Sequence, residues 1–216
     1  MPRIGDIVGR TPVIPVLTLA GAPDGIPVAR ALVTGGLSVI EVTLRTAGAL
    51  EAVKAIAAEV KGVTVGVGTV LEPAQFEKAK KAGAGFVVSP GFTPTLGAAA
   101  ADAGLPYLPG VSTVSEALAL RERGFRHLKF FPAEQCGGQD FLRALAAPLP
   151  DLLFCPTGGV DLAKAAGYLT LSNVSCVGGS WVVPPDAIAA NDWARIEALA
   201  SKAAGLGRGV ASPPQA

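Results

Sequence analysis

Lys129 is the residue of this sequence whose surroundings most suggest covalent chemistry. It lies in the run HLKFFP, between Leu128 and Phe130, where its ammonium group would lose much of its hydration. Burial disfavours the charged form of a lysine, and the neutral amine is the nucleophile that forms a Schiff base with a carbonyl compound. A lysine in an apolar run can instead extend its charged end into water, so the run alone leaves both roles open.

A second group of polar residues interrupts the apolar run VIEVTL, which begins at Val39. Glu41, Thr43 and Arg45 alternate with apolar residues, so an extended strand would place all three on one face. If that face lines the inside of a barrel, it brings a carboxylate and a guanidinium near the barrel mouth. The spacing leaves a purely structural Glu–Arg pair open as the alternative.

Two glycine pairs end later apolar runs, in Thr157-Gly158-Gly159 and in Gly178-Gly179-Ser180. Glycines let backbone N–H groups approach an anion closely, and a helix N-terminus adds partial positive charge. The serine hydroxyl can donate one further hydrogen bond. We therefore expect a phosphate site at these two turns, although a single glycine pair often marks only a turn.

Eight short runs of strand type must position these residues, and each is followed by a helical stretch. The runs begin at Val13, Val39, Thr64, Phe86, Pro106, His127, Leu152 and Val174. Regular alternation of strand and helix predicts a parallel sheet. Eight units predict its closure into a single-domain α/β fold, the (β/α)8 or TIM barrel, and an open doubly wound sheet is the alternative.

Residue types that begin and end helices recur between these strands. The candidate N-caps are Thr46, Thr93, Thr113, Asp161 and Asn191, and the candidate C-terminal glycines are Gly62, Gly83, Gly104 and Gly124. We place the barrel at residues 11–203. The N-terminal segment 1–10 and the tail 204–216 are expected to be frayed and flexible.

Composition excludes several classes of protein. Of the 216 residues 50% are hydrophobic and 16% are charged, which argues against a disordered chain. A net charge of +1 gives no basic surface for nucleic acid. No apolar run approaches the roughly 18 residues of a membrane span, and the first residues lack the apolar core of a secretory signal. We therefore expect a soluble, cytoplasmic protein with no membrane or nucleic-acid partner.

Other catalytic sites and cofactors find little support. His127, the one histidine, begins a strand with no serine elbow nearby, so a structural role is expected. Cys136, Cys155 and Cys176 form no CxxC pair, which argues against a disulfide framework and a zinc site. Neither GxGxxG nor GxxxxGK[ST] occurs. We therefore expect neither a metal nor a cofactor.

Seven motifs carry a family resemblance: EVTLR (41–45), GVGTV (66–70), SPG (89–91), PGVST (109–113), KFFPAE (129–134), CPTGGV (155–160) and GGSW (178–181). From about residue 12 to 200 the chain resembles the bacterial 2-dehydro-3-deoxy-6-phosphogluconate (KDPG) aldolases. The resemblance implies a metal-free class I aldolase, an aldehyde-lyase of the Entner–Doudoroff pathway that is usually a homotrimer. Its products would be pyruvate and glyceraldehyde 3-phosphate. Many members also cleave 4-hydroxy-2-oxoglutarate, to pyruvate and glyoxylate.

The same resemblance implies roles for individual residues. Lys129 would be the Schiff-base lysine and Glu41 the general acid and base. The implied substrate-binding residues are Arg45 and Thr69 for the pyruvyl carboxylate, Phe131 and Pro90 for the walls of the pyruvyl pocket, Gly158, Gly159 and Ser180 for the phosphate, Thr157 for stereochemical choice, and Gly179 beside them.

Departures from the family pattern also carry expectations. The first strand ends without the arginine of the galactonate branch, and Thr157 is present, so both features favour the gluconate substrate. The N-terminal segment is short and is not expected to cover the base of the barrel. Two other functions stay open: a non-covalent phosphosugar lyase or isomerase, and a non-catalytic sugar-phosphate-binding barrel.

Overall fold

The computed structural model describes residues 3–207, which form a barrel of parallel strands surrounded by helices. The strands are β1 (Val13–Leu17), β2 (Val39–Thr43), β3 (Thr64–Gly68), β4 (Phe86–Val88), β5 (Tyr107–Leu108), β6 (Gly110–Val111), β7 (His127–Phe130), β8 (Leu153–Pro156) and β9 (Val177–Gly179). β5 and β6 are two halves of one barrel strand. Pro109 separates them, because proline has no N–H group to continue the ladder.

Strand pairing runs around the whole barrel. β1 to β5 pair in chain order, as do β6 to β8. β9 pairs with β1, and the circle closes between β8 and β9, where Thr157 bridges Gly178 and Phe154 bridges Val174. The predicted (β/α)8 barrel is confirmed, and the open doubly wound sheet is excluded.

Helices cover the outside of the barrel. They are α1 (Ile4–Val8), α2 (Ala22–Thr34), α3 (Ala49–Glu59), α4 (Ala74–Lys81), α5 (Pro94–Ala103), α6 (Val114–Glu122), α7 (Gly138–Leu145), α8 (Leu162–Tyr168), α9 (Pro185–Ala189) and α10 (Trp193–Ala204). The predicted caps Thr93, Thr113 and Asp161 each accept a hydrogen bond from a first-turn N–H group. No helix within residues 3–207 is long and apolar enough to cross a membrane.

Two predicted helix caps are wrong. Thr46 donates its hydroxyl to the Leu19 carbonyl instead, and α3 begins after Gly48. Asn191 adopts a φ of 53°, and its neighbour Asp192 accepts the hydrogen bond that caps α10. Adjacent residues that are both good caps cannot be told apart without knowledge of where the helix axis points.

The N-terminal helix α1 covers the base of the barrel, so the expectations that this segment is frayed and leaves the base uncovered are wrong. Ile7 and Val8 are 2% and 0% exposed. They pack against residues in the barrel interior, namely Ile14, Val39, Phe86, Val88, Leu108, Cys155 and Cys176. Five residues are too few to show helical periodicity, which is why the sequence pattern missed this helix. Of the predicted C-terminal tail, residues 208–216 lie outside the described residues.

The strands are buried on both faces, as in other parallel barrels. Along β2, Ile40 and Val42 pack outward against the helices, whereas Val39 belongs to the interior cluster at the base. The alternation therefore turns Glu41 and Thr43 inward, above that cluster. Polar groups near the carboxyl ends of the strands consequently face the barrel mouth.

Candidate active site

The side chains of Lys129 and Glu41 meet inside the barrel. Lys129 Nζ lies 3.3 Å from Glu41 Oε1 and donates a hydrogen bond to it. The two residues are 5% and 3% exposed. Two ionisable groups this deeply buried are tolerated only where each satisfies the other. The structure thus brings an amine and a carboxylate into proton-transfer distance.

Two glycines of β3 make room for interior side chains, one of them the Glu41 carboxylate. A Cβ atom at Gly68 would overlap Glu41 Oε1, and one at Gly66 would overlap the ring of Phe86. Neither glycine has a positive φ, so space rather than backbone conformation requires glycine here. Sequence analysis assigned neither residue a role, although glycines that alternate within a strand are a known sign of close approach.

Arg45 lies beyond the strand that carries Glu41. β2 ends at Thr43, and Arg45 lies in the following turn with an exposed side chain. Within residues 3–207 it has no hydrogen bond or ion pair. The predicted common face therefore holds for Glu41 and Thr43, whereas Arg45 lies beyond the end of the strand. Since Glu41 pairs with Lys129, the alternative of a structural Glu–Arg pair is excluded.

Three further candidate residues follow strand ends at the barrel mouth. The Phe131 ring centroid is 5.4 Å from Lys129 Nζ, within the range of a cation–π contact. Thr69, directly after β3, has a φ of 59°, which β-branched residues rarely adopt. Pro90 is half-buried after β4. Strained backbone of the kind seen at Thr69 often occurs at binding sites.

The backbone around Pro90 is held by residues to which sequence analysis assigned no role. Ser89 Oγ lies 2.6 Å from Tyr107 Oη and also donates to the Gly91 carbonyl. Burial raises the pKa of Tyr107 to about 12, against the opposing effect of the Ser89 hydrogen bond, so the phenol stays protonated. A Cβ atom at Gly110 would overlap the Pro90 carbonyl. These contacts fix the wall that Pro90 offers to the mouth.

The two glycine pairs lie side by side. Thr157 is buried and forms a bridge to Gly178, where a Cβ atom would overlap Thr157 Oγ1. Gly158 and Gly159 have φ values of 105° and 75°, in the left-handed region that favours glycine. Ser180 is exposed directly after β9. The geometry therefore groups all of these residues at one edge of the mouth.

Main-chain hydrogen bonds orient the first of these turns. Ala133 N–H donates to the Thr157 carbonyl at 2.8 Å, and Glu134 N–H donates to the Gly158 carbonyl at 3.2 Å. In the second turn, the ring of Trp181 packs so closely on Gly179 that a Cβ atom there would overlap it. Both turns are thus shaped by contacts that only glycine permits.

His127 lies at the opposite end of β7 from this site. Its ring packs against Gly5 of α1. Burial lowers the pKa of His127, although the charge of Asp6 acts in the opposite direction. A packing role agrees with the sequence-based expectation. Within residues 3–207 no group of three or more His, Cys, Asp or Glu side chains could hold a metal ion.

Comparison with known proteins identifies the family. Residues 4–199 match the sequence model of the KDPG and KHG aldolases. The chain belongs to the KDPG and KHG aldolase family. A relative from Escherichia coli K12, named KHG/KDPG aldolase, is 48% identical over 192 residues, which are 89% of this chain and 90% of the relative.

Solved aldolase structures of this family share the fold. The KDPG aldolase of Zymomonas mobilis ZM4, crystallised with 3-phosphoglycerate, has a TM-score of 0.90 and 43% identity, covering 95% of this chain and 96% of that one. The KDPG aldolase of Legionella pneumophila has a TM-score of 0.92 and 40% identity, covering 94% and 99%. That structure holds pyruvate captured at low pH as a covalent carbinolamine intermediate.

Proposed function

We propose that this chain is a class I aldolase that cleaves KDPG into pyruvate and glyceraldehyde 3-phosphate. The observation that carries the proposal is the buried Lys129 Nζ, 3.3 Å from Glu41 Oε1. Membership of the KDPG and KHG aldolase family supports the reaction. The carbinolamine of the Legionella pneumophila relative supports a covalent route.

The first half of the reaction builds an electron sink. Lys129 gives a proton to Glu41 and its neutral amine attacks the C2 carbonyl carbon, forming a C–N bond. Glu41 returns the proton to the hydroxyl of this carbinolamine, which leaves as water and gives a protonated imine, so Glu41 is a carboxylate again. Glu41 is the nearby base that the geometry offers for the C4 hydroxyl proton, directly or through a water molecule. When that proton leaves, the C3–C4 electron pair moves into the imine and the aldehyde is released.

The second half returns the proton and frees the enzyme. The enamine left on Lys129 takes a proton at C3 from the acid form of Glu41, which restores the protonated imine. Water then attacks the imine carbon, the C–N bond breaks, and pyruvate leaves. One carboxylate thus accepts and returns a proton within each turnover. A guanidinium could not replace Lys129, because it stays charged and is a poor nucleophile.

The residues around this pair orient the substrate. Thr69 and Arg45 would bind the pyruvyl carboxylate, and the exposed Arg45 guanidinium, which forms no ion pair in the described part of the chain, can turn toward it. Phe131 and Pro90 would form the walls of the pyruvyl pocket. Phosphate would bind at the two glycine turns, through Gly158, Gly159 and Ser180 beside Gly179, with Thr157 contacting the substrate at the bond that breaks. Remote phosphate contacts contribute orientation rather than chemistry.

Cleavage of 4-hydroxy-2-oxoglutarate is a second activity of the same site. The Escherichia coli relative carries both KHG and KDPG in its name, and the imine chemistry needs no phosphate. The absence of an arginine at the end of the first strand and the presence of Thr157 favour the gluconate over the galactonate form of the phosphorylated substrate.

We also propose a cytoplasmic homotrimer. The family resemblance implies the trimer, and the thiols of Cys136 and Cys155, which are not in disulfides, fit a reducing compartment. Light scattering coupled to size-exclusion chromatography measures the assembly, and a mass of one or two chains would contradict the trimer.

Borohydride reduction in the presence of pyruvate tests the covalent mechanism. Reduction should add one pyruvate-derived group to Lys129, detectable by peptide mass spectrometry, and Lys129→Met should show no such addition. A coupled assay of pyruvate release from KDPG should give turnover only in the unsubstituted protein. A wild-type protein that turns over without labelling would be a non-covalent lyase or isomerase, and one that binds KDPG without releasing pyruvate would be a sugar-phosphate-binding protein.

A further inference from the structure

A lysine outside the predicted site holds one carbonyl of the glycine turn that follows β8. Main-chain N–H groups fix the carbonyls of Thr157 and Gly158. The next carbonyl, that of Gly159, accepts a hydrogen bond from Lys164 Nζ at 3.0 Å. The first two bonds do not depend on side-chain identity, whereas the third requires the ammonium group of Lys164.

Glu134 in turn holds Lys164 in place. Lys164 Nζ lies 2.9 Å from Glu134 Oε2, and Tyr168 donates its hydroxyl to Glu134 Oε1 at 2.6 Å. Burial raises the pKa of Glu134, but the hydrogen bonds from Tyr168 and Lys164 outweigh it and lower the pKa overall. The hydrogen bond to Glu134 raises the pKa of Lys164. Both partners are therefore charged at neutral pH.

The direction of these carbonyls determines the direction of the N–H groups in the same turn. In a trans peptide the N–H group points opposite to the carbonyl. Carbonyls held on the β7 side therefore turn the N–H groups of Gly158, Gly159 and Val160 toward β9, where Ser180 follows the strand. The N–H group of Gly158 faces the Gly178 carbonyl, through the bridge that joins Thr157 to Gly178. Within residues 3–207 the N–H groups of Gly159 and Val160 have no main-chain acceptor. Consecutive N–H groups that face one way form a nest for an anion.

We propose that Lys164 and Glu134 are positioning residues of the phosphate subsite. Lys164 orients the peptide between Gly159 and Val160 so that its N–H group faces the phosphate, and Glu134 orients Lys164. The inference rests on the proposed function, since it concerns the phosphate of that substrate. The Lys164 and Glu134 side chains are 43% and 26% exposed. An ion pair so exposed contributes little to folding, so its removal should act on binding.

Kinetics with two substrates test this role. In Lys164→Met and in Glu134→Gln, the KM for KDPG should rise about fivefold with little change in kcat, because binding shared by ground and transition states is lost. Both constants for phosphate-free 4-hydroxy-2-oxoglutarate should stay at the wild-type values. Arg121→Met is a matched control, because the Arg121–Asp151 pair has side-chain exposures of 44% and 25% and joins α6 to the segment before β8. Arg121→Met should leave KM and kcat unchanged for both substrates.

Calorimetric titration with inorganic phosphate adds a readout that needs no turnover. The Kd of phosphate should rise in Lys164→Met and Glu134→Gln by the same factor as the KM for KDPG. Lys164→Arg should retain most of the wild-type affinity for phosphate. If the wild-type protein bound phosphate but released no pyruvate from KDPG, the proposed function would be wrong. The Kd values of phosphate for the wild type and the variants would still show whether Lys164 and Glu134 position the phosphate subsite.

Two results would overturn the positioning role. A KM for KDPG that is unchanged or lower in Glu134→Gln would mean that Lys164, once released, binds phosphate directly. Equal losses with both substrates would mean general damage to the barrel mouth. If Lys164→Met does not fold, Lys164→Arg and Glu134→Gln decide the question with the same two substrates.

Discussion

Lys129 and Glu41 are separated by 88 residues in the chain, yet Lys129 Nζ lies 3.3 Å from Glu41 Oε1. Neighbouring strands do not supply both groups, since β2 lies across the barrel interior from β7. Removal of either side chain leaves the other buried without its partner, which costs stability as well as activity. Each substitution at this pair therefore needs a measurement of folding beside the measurement of turnover.

Glu41→Gln should separate imine formation from proton transfer. The amide retains the size of the side chain and can still accept a hydrogen bond, but it is no base. We expect borohydride still to trap pyruvate on Lys129, although more slowly because Lys129 must lose its proton to water, while kcat for KDPG falls about 100-fold or more. Mass spectrometry and coupled pyruvate release measure the two effects. A kcat close to the wild-type value would reject Glu41 as the acid and base.

Gly68→Ala should impair the reaction through the position of Glu41. The added Cβ atom would overlap the Glu41 carboxylate, which must then move away from Lys129 Nζ. We expect kcat to fall at least about tenfold, as for other small displacements of a catalytic group. Thermal unfolding of the variant reports whether the barrel stays intact.

Gly205→Ala is a suitable control for this overlap. A Cβ atom at Gly205 would make only ordinary contacts, 3.5 Å from the Ser201 carbonyl and 3.6 Å from the Lys202 carbonyl, at the end of α10. Its kcat should equal that of the wild type. If Gly68→Ala were as active as Gly205→Ala, the space beside Glu41 would have no catalytic importance.

Ser180→Ala should act on the phosphorylated substrate alone. Loss of the hydroxyl removes one hydrogen bond to the phosphate, a contact that is equally present in the ground and transition states. The KM for KDPG should therefore rise about tenfold with kcat nearly unchanged. Steady-state kinetics with 4-hydroxy-2-oxoglutarate provide the comparison, and an equal effect on that substrate would contradict a phosphate role for Ser180.

His127 should make the folded protein less stable as the pH falls below neutrality. Burial lowers the pKa of His127 in the folded state. As the pH drops through about 6.5, the histidine of the unfolded chain therefore binds a proton while that of the folded chain stays neutral, which favours unfolding. The free energy of unfolding should thus decrease from pH 7.5 to pH 5.5. Because the chain has one histidine, His127→Gln should remove most of this dependence in denaturant titrations. A wild-type stability that is flat over this range would contradict the prediction.

Local patterns in the sequence were enough to predict the barrel. A strand buried on both faces must be apolar throughout, and eight such runs at regular intervals leave room for one helix each. The same rule made Lys129 conspicuous, because a charged residue in such a run needs an explanation. The caps Thr93, Thr113 and Asp161 were predicted for a similar reason, since each cap bonds within its own first turn.

Residues that act through distant neighbours escaped the sequence analysis. Glu134 was visible as the last letter of KFFPAE, but its bonds to Lys164 and Tyr168 join the segment after β7 to helix α8. The room that Gly68 provides is meaningful only once the Glu41 side chain lies beside it. Helix α1 was missed because its two buried residues have a surface to pack against only once the barrel has closed.

The amino-acid sequence by itself determined the repeat of strand and helix, the chemical groups available, and the family to which they point, because these depend on residue type and short-range spacing. Tertiary structure decided which groups meet. It paired Glu41 with Lys129, left Arg45 exposed beyond the end of β2, and placed α1 under the barrel. Contacts across a barrel depend on strand register and on closure, and no local pattern encodes either of them.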